Sequence, residues 1–321
     1  MPMDPALRRF LDARSADEST DAEPLTDAER VSANRLSLLD ALRARDEIIG
    51  LPNDVVTREV SLNASLRGRL YLPPSPGIPL PVLTYLHGGG WICGSVATHD
   101  PFCRLLAHAA GVSIVSVDYR LAPEHPYPAA QEDAQVAVQW VAEHAHEWGG
   151  DASRMAIGGD SAGANVVAAT VNQRLAAAAP LPIIAQLLLF PVTDHPSGGH
   201  ASYAERGHGF EAEFMHWVWE QYAARESPDD PGISPLRAPS LARLPPTFVA
   251  SAEHDILRDE ALAYVEKLRA AGVPLTHLHS PDMHHNFCVN PAVVSRFPQS
   301  RKALSIIADW LARTLTKGAA E

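Results

Sequence analysis

Two short segments have the residue types needed for attack on an ester or amide carbonyl. Residues 87–91 read His-Gly-Gly-Gly-Trp, and residues 159–163 read Gly-Asp-Ser-Ala-Gly; each follows an apolar run. Acyl transfer requires a nucleophile and hydrogen-bond donors for the oxyanion that forms. A serine lifted onto a sharp strand-to-helix turn supplies the first. A loop of glycine amides, approachable because no Cβ shields them, supplies the second. Ser161 is therefore the candidate nucleophile. The amide of Ala162 and two of Gly88, Gly89 and Gly90 are the candidate oxyanion donors, with no choice among the three glycines. Phosphate binding is the competing use of a glycine-rich loop. Neither Gly-Lys-Ser/Thr nor a helix-opening Gly-x-Gly-x-x-Gly accompanies this one.

A serine hydroxyl needs a base, and the base needs an orienting carboxylate. In the strand-turn-helix arrangement they follow the serine in the order acid, then histidine. After the apolar run at 248–251 comes Ala252-Glu-His-Asp-Ile-Leu-Arg-Asp-Glu, with Asp255 in the loop at the strand's end and Glu253 its rival. Asp259 and Glu260 fall at the start of the next helix, where acidic residues have a capping role. Further on, Pro281-Asp-Met-His-His-Asn-Phe offers His284 and His285, between which position alone does not choose. The chain has 15 histidines, with pairs at His277/His279 and His144/His146. No His-Glu-x-x-His or Cys/His cluster is present, so no metal and no cofactor is assigned.

The elements around these segments alternate. Charged, Ala/Leu-rich helices are expected in the first 50 residues. Two antiparallel strands follow at 55–60 and 66–72, then strands at 82–86, 113–117, 155–157, 183–190, 248–251 and 275–279. Helices are expected at about 128–148, 162–178, 259–271 and 296–315. Continuous apolar strands alternating with helices imply a mostly parallel sheet, here of eight strands, covered on both faces. Residues 196–228, with the aromatic run Phe214-Met-His-Trp-Val-Trp-Glu-Gln-Tyr, interrupt the alternation. With residues 1–50 they read as a helical cap over the sheet's carboxyl edge, leaving 51–195 and 229–321 as the catalytic domain.

Composition fits one globular chain of 321 residues, 46% hydrophobic and 20% charged. A net charge of −12 without a basic patch argues against nucleic acid and anionic membrane surfaces. The first residues lack the apolar stretch of a secretory signal, and no run is long enough to span a bilayer. Three well-separated cysteines make no disulfide framework, so a cytoplasmic location is expected.

The motifs together resemble the hormone-sensitive-lipase-like bacterial carboxylesterases of the α/β-hydrolase fold. The likeness covers roughly residues 50–315. It rests on His87-Gly-Gly-Gly-Trp-Ile-Cys-Gly-Ser, Asp118-Tyr-Arg-Leu-Ala-Pro-Glu-His-Pro-Tyr-Pro-Ala-Ala, Gly159-Asp-Ser-Ala-Gly-Ala-Asn, Ser234-Pro-Leu and Asp255-Ile-Leu-Arg-Asp-Glu. The resemblance implies cleavage of short- to medium-chain acyl esters through an acyl-enzyme, with water as co-substrate. Aligned with the family's His-Gly-Phe segment, it favours His285 over His284 as base. It also implies a cap over the substrate pocket, for which Phe210, Phe214 and Trp217 are candidate lining residues. As in relatives, edge strands and the closing helix are surfaces for a homodimer. The chain departs from the family at Asn286 for glycine, Ile256 for proline and Ala164 for glycine. Asparagine tolerates positive φ, so the turn at 286 can survive. The Arg120 and Glu124 segment is read as structural. An amidase or lactonase on the same machinery is the alternative, as is a non-catalytic receptor, against which an intact His285 argues.

Overall fold

The computed structural model describes residues 2–15, 26–43, 50–75, 77–175, 182–205 and 211–317. All eight expected strands form one sheet. They are β1 (Val56–Ser61), β2 (Arg67–Leu72), β3 (Leu80–Leu86), β4 (Ser113–Asp118), β5 (Gly150–Asp160), β6 (Ala185–Leu189), β7 (Thr247–His254) and β8 (Leu275–His284). Their order is β1-β2-β4-β3-β5-β6-β7-β8. β2 runs antiparallel to β1 and β4, and every other pair is parallel.

The pattern of side chains explains why the sheet is covered on both faces. Every residue of β3 and β6 is buried. In β3, Val82 and Leu86 enter one apolar layer, whereas Leu83 and Tyr85 enter the other, the period-two alternation of a strand. The first layer holds the apolar sides of α4 (Ala129–His144), α5 (Ala162–Leu175) and α7 (Arg258–Ala270). The second holds α1 (Pro5–Ser15), α3 (Val96–Ala110), α8 (Pro291–Arg296) and α9 (Pro298–Lys317).

The helix α3 lies in a stretch to which the sequence reading assigned no element. Its signals are a reciprocal cap between Ser95 and Thr98 and a left-handed Gly111 at its end. Pro101 inside it obscures the pattern. Strands β5, β7 and β8 also run further than expected: β5 begins at Gly150, β7 reaches His254 and β8 reaches His284.

Strand order determines where chemistry can occur. From β3 the chain adds β4 on one side and then crosses to add β5 on the other. The crevice at such a switch point, outside the strands' carboxyl ends, is where open α/β sheets bind ligands. Here Leu86 of β3 is in register with Gly159 of β5, so the glycine loop and the serine turn emerge side by side.

The remaining helices, α2 (Asp27–Arg43) and α6 (Ala212–Ala223), meet each other. The indole Nε1–H of Trp217 donates to Asp27 at 2.8 Å, and the Arg30 guanidinium lies 4.3 Å over the Trp217 ring. α1 takes a different place, with Phe10 edge-on to Phe297 and Asp4 capping its own helix beside Gln299. Of the N-terminal helices, then, α2 joins α6, whereas α1 packs on α8 and α9. Among the described residues no helix is long and apolar enough to cross a membrane.

Candidate active site

Ser161 stands between the last residue of β5 and the first of α5, with φ of 52°. This left-handed conformation is costly for a non-glycine residue, and the surroundings hold it. Its amide donates to Leu189 O at 2.8 Å, and its carbonyl accepts from Asn165 N at 3.1 Å. The glycine two residues on permits the close approach of α5 to β3. A Cβ on Gly163 would lie 2.2 Å from Leu86 O. Ala164 is fully buried in α5.

The base and acid reach the serine from the ends of β8 and β7. His285 follows the last residue of β8, and its Nε2 lies 3.0 Å from Ser161 Oγ. Its Nδ1 lies 2.8 Å from Asp255 Oδ2. A carboxylate can only accept, so Nδ1 carries the hydrogen and Nε2 accepts from the serine hydroxyl. Asp255 is fixed in turn by the amide of Leu257, which donates to its Oδ1 at 2.9 Å. All three residues are buried. Phe190 lies edge-on to the imidazole with ring centroids 4.8 Å apart. Asn286, next to the base, has φ of 66°, a left-handed conformation that glycine and asparagine adopt most readily.

The rivals lie elsewhere. Glu253 receives Arg258 and meets His279 Nε2 at 3.0 Å. His277 Nε2 and His279 Nδ1 both contact Ser251 Oγ at 2.9 Å, away from His285. His284 is paired across the sheet with His254.

The glycine loop resolves the choice that sequence left open. The Gly88 amide donates to Asp160 Oδ1 at 3.0 Å, so it is not directed at substrate. Of the three glycines among which the sequence made no choice, Gly88 is thus engaged with Asp160, and Gly89, Gly90 and the helix-opening Ala162 amide remain the candidate donors. A Cβ on Gly88 would lie 2.3 Å from Asp160 Oδ2. Asp160 also accepts from Tyr85 OH at 2.6 Å and meets His99 Nε2 at 3.2 Å. Burial opposes its ionisation, but the charge of His99 and the hydrogen bonds from His99 and Tyr85 outweigh it and hold its carboxyl below the usual range. His87 is stacked on Tyr119 at 4.4 Å, and burial pushes its imidazole down to about 3, so it stays neutral. Asp160 was visible in the motif, but no spacing rule gives a buried acid the task of holding a loop.

The expected pocket residues have mixed fates. Phe210 lies outside the described residues. Trp217 is engaged with α2, and Phe214 packs half-buried beside it at 5.9 Å. Instead other α6 side chains meet the loop: a Cβ on Gly90 would come within 3.2 Å of Val218. Trp91 stacks face to face on Tyr222 at 4.2 Å and contacts Trp219 at 4.7 Å.

A doubly wound sheet with a serine, an acid and a histidine at the carboxyl ends of β5, β7 and β8 defines an α/β hydrolase. The α/β-hydrolase-fold family matches residues 83–289. The chain belongs to this family, in its hormone-sensitive-lipase-like carboxylesterase group. It is 39% identical over 276 residues to the esterase LipI of Mycobacterium tuberculosis, covering 81% of this chain and 85% of that protein. Over 224 residues it is 38% identical to an ethyl acetate hydrolase of Pseudomonas putida, covering 68% and 70%. Among solved structures, an esterase of the archaeon Pyrobaculum calidifontis superimposes with a TM-score of 0.87. That protein is 33% identical, and the match covers 98% of this chain and 99% of the other.

Proposed function

We propose that this carboxylic ester hydrolase is a serine carboxylesterase for short- to medium-chain acyl esters, working through an acyl-enzyme. The observation that carries the reading is the continuous relay from Asp255 through His285 to Ser161, at 2.8 and 3.0 Å. His285 takes the Ser161 proton as Oγ attacks the ester carbonyl carbon. The oxyanion is met by the amides of Gly89, Gly90 and Ala162. As the intermediate collapses, His285 returns the proton to the leaving alkoxide, and an acyl-Ser161 ester remains. Water then attacks this ester; His285 removes its proton and passes it to the departing Ser161 oxygen. Asp255 holds the imidazole tautomer and stabilises its transient positive charge throughout.

Short acyl groups suit the aromatic packing of Trp91, Trp219 and Tyr222 behind the oxyanion loop, all three buried. The likeness to an ethyl acetate hydrolase supports the same size class. In this reading α2 and α6 supply the cap, α1 belongs with α8 and α9 on the catalytic body, and 51–195 and 229–321 form the rest of the catalytic domain. Three buried, unpaired cysteines suit a reducing, cytoplasmic setting. A series of p-nitrophenyl esters from acetate to dodecanoate, with the matched anilides, tests the reading. Turnover should peak at the short to medium esters and be far slower on anilides. Faster anilide cleavage would replace it with an amidase.

A further inference from the structure

Arg35 on α2 reaches two loops of the catalytic body at once. Its Nε–H donates to Ile92 O at 2.8 Å, in the turn that carries Gly89 and Gly90. Its Nη1 and Nη2 grip both oxygens of Glu124 at 2.8 Å each, and Nη2 also donates to Ala122 O at 3.3 Å. The two loops are themselves joined where Ala122 N donates to Trp91 O at 2.9 Å. Glu124, read from sequence as structural, is thus the docking point of a helix 89 residues away. Arg35 holds its carboxyl down to about 2.

The other contacts of α2 are of a different kind. At its start, Asp27 and Arg30 hold Trp217 of α6, and Val31 enters the apolar layer that contains Trp91 and Val218. The Arg35 end therefore supplies the polar attachment of the α2–α6 pair to the oxyanion turn. The turn has other supports, Asp160 on Gly88 and Val218 on Gly90, so it does not depend on Arg35 alone. The ion pair is partly open to water, with side-chain exposures of 33% for Arg35 and 53% for Glu124. Such pairs are weak and screened by salt, which suits a contact that opens and closes.

We propose that Arg35 is a positioning residue that latches α2 over the oxyanion turn and thereby sets which acyl chains the site accepts. This rests on the ester-hydrolase reading above. Only a guanidinium presents a planar fork able to meet a carboxylate and two carbonyls together, so lysine should replace it only in part.

The experiment combines Arg35→Met, Arg35→Lys and Glu124→Gln with two readouts. These are kcat and KM on p-nitrophenyl acetate, butyrate and octanoate, and amide hydrogen exchange of residues 27–37 and 87–95. In Arg35→Met, exchange at 27–37 should speed up while 87–95 stays protected. KM for the acetate should rise about 5-fold, and preference should move toward octanoate by about as much, the size expected for one such ion pair. Arg35→Lys should fall between this variant and the parent. If Arg35→Met does not fold, Glu124→Gln and the parent protein in 1 M (~3 Å screening length) salt should shift preference in the same direction. An unchanged chain-length profile with unchanged exchange at 27–37 would overturn the latch. So would a uniform fall in kcat with exposure of 87–95, because Arg35 would then serve the turn alone. Absence of any ester turnover by the parent protein would defeat the esterase reading, while exchange would still report on the latch.

Discussion

The amide of Gly88 donates to Oδ1 of Asp160 at 3.0 Å, joining the loop after β3 to the residue that precedes the serine. One buried carboxylate thus fixes the oxyanion loop relative to the nucleophile, and the loop's first amide is used in the process. Gly89 and Gly90 are therefore the glycines proposed to meet the oxyanion. Gly88→Ala should displace Asp160, since the new Cβ would lie 2.3 Å from its Oδ2. With the donors misplaced, kcat should fall by about 10²–10³, measured by steady-state turnover of p-nitrophenyl butyrate. Near-normal kcat would show that the loop is set by other contacts.

The proposed acid is Asp255, 2.8 Å from His285 Nδ1, and not its neighbour two residues earlier. Asp255→Asn keeps the shape but presents the wrong partner to Nδ1, and kcat should drop by about 10³–10⁴. Glu253→Gln disturbs only His279 and Arg258 and should change kcat by less than about tenfold. Comparing the two variants at one pH decides the assignment, and a reversed order of effects would contradict it.

Asn286 holds the turn beside His285 in a left-handed conformation, with φ of 66°. Asn286→Gly should leave turnover within about 2-fold, because glycine adopts this conformation freely. Asn286→Val should cost about 1–2 kcal/mol in unfolding free energy and lower kcat with it, since a branched residue resists positive φ. Urea unfolding and turnover of both variants would check this, and equal stability of the two would contradict it.

Glu260 supports the segment that leads from β6 to α6. Its Oε1 accepts from the amides of Thr193 and Asp194 at 2.7 and 3.3 Å, and its Oε2 from Tyr203 OH at 2.9 Å. Burial raises its carboxyl from 4.5 to about 8. Between these values the unfolded chain releases the proton that the folded chain retains. Glu260 therefore makes stability fall as pH rises from about 4.5 to 8, and not outside that window. Glu260→Gln should remove this slope, gaining on the parent protein by about 1.4 kcal/mol at most per pH unit. Urea unfolding at pH 5, 6.5 and 8 measures it, and a gap independent of pH would contradict the protonated state.

Much of this was legible in the chain. Continuous apolar runs identified the central strands, such as β3 and β6, because strands buried on both faces leave little freedom in sequence. β1 and β2 were legible instead from their β-branched alternation. The serine and the acid were readable because each sits at a strand's carboxyl end beside turn residues, whereas position left His284 and His285 open and the family resemblance favoured His285. Helix α3 was not, because Pro101 interrupts its pattern and its cap is a Ser–Thr pair. The work of Gly88 was also hidden, since a free amide and an anchored one have the same sequence. Trp217 and Val218 are adjacent on α6, yet one faces α2 and the other Gly90, a difference set by the docking angle of the helix. Arg35 was silent for a related reason: its partners are backbone carbonyls and an acid far along the chain.

The central claim is that Ser161, activated by His285, forms a covalent acyl-enzyme. Intact-protein mass spectrometry after treatment with an organophosphate, followed by peptide mapping, tests it most directly. One equivalent of adduct should appear on Ser161, with loss of esterase activity in proportion. Ser161→Ala should take up none, and His285→Ala should react far more slowly. Stoichiometric labelling at another residue, or Ser161→Ala protein that retains the parent's ester turnover, would contradict the account.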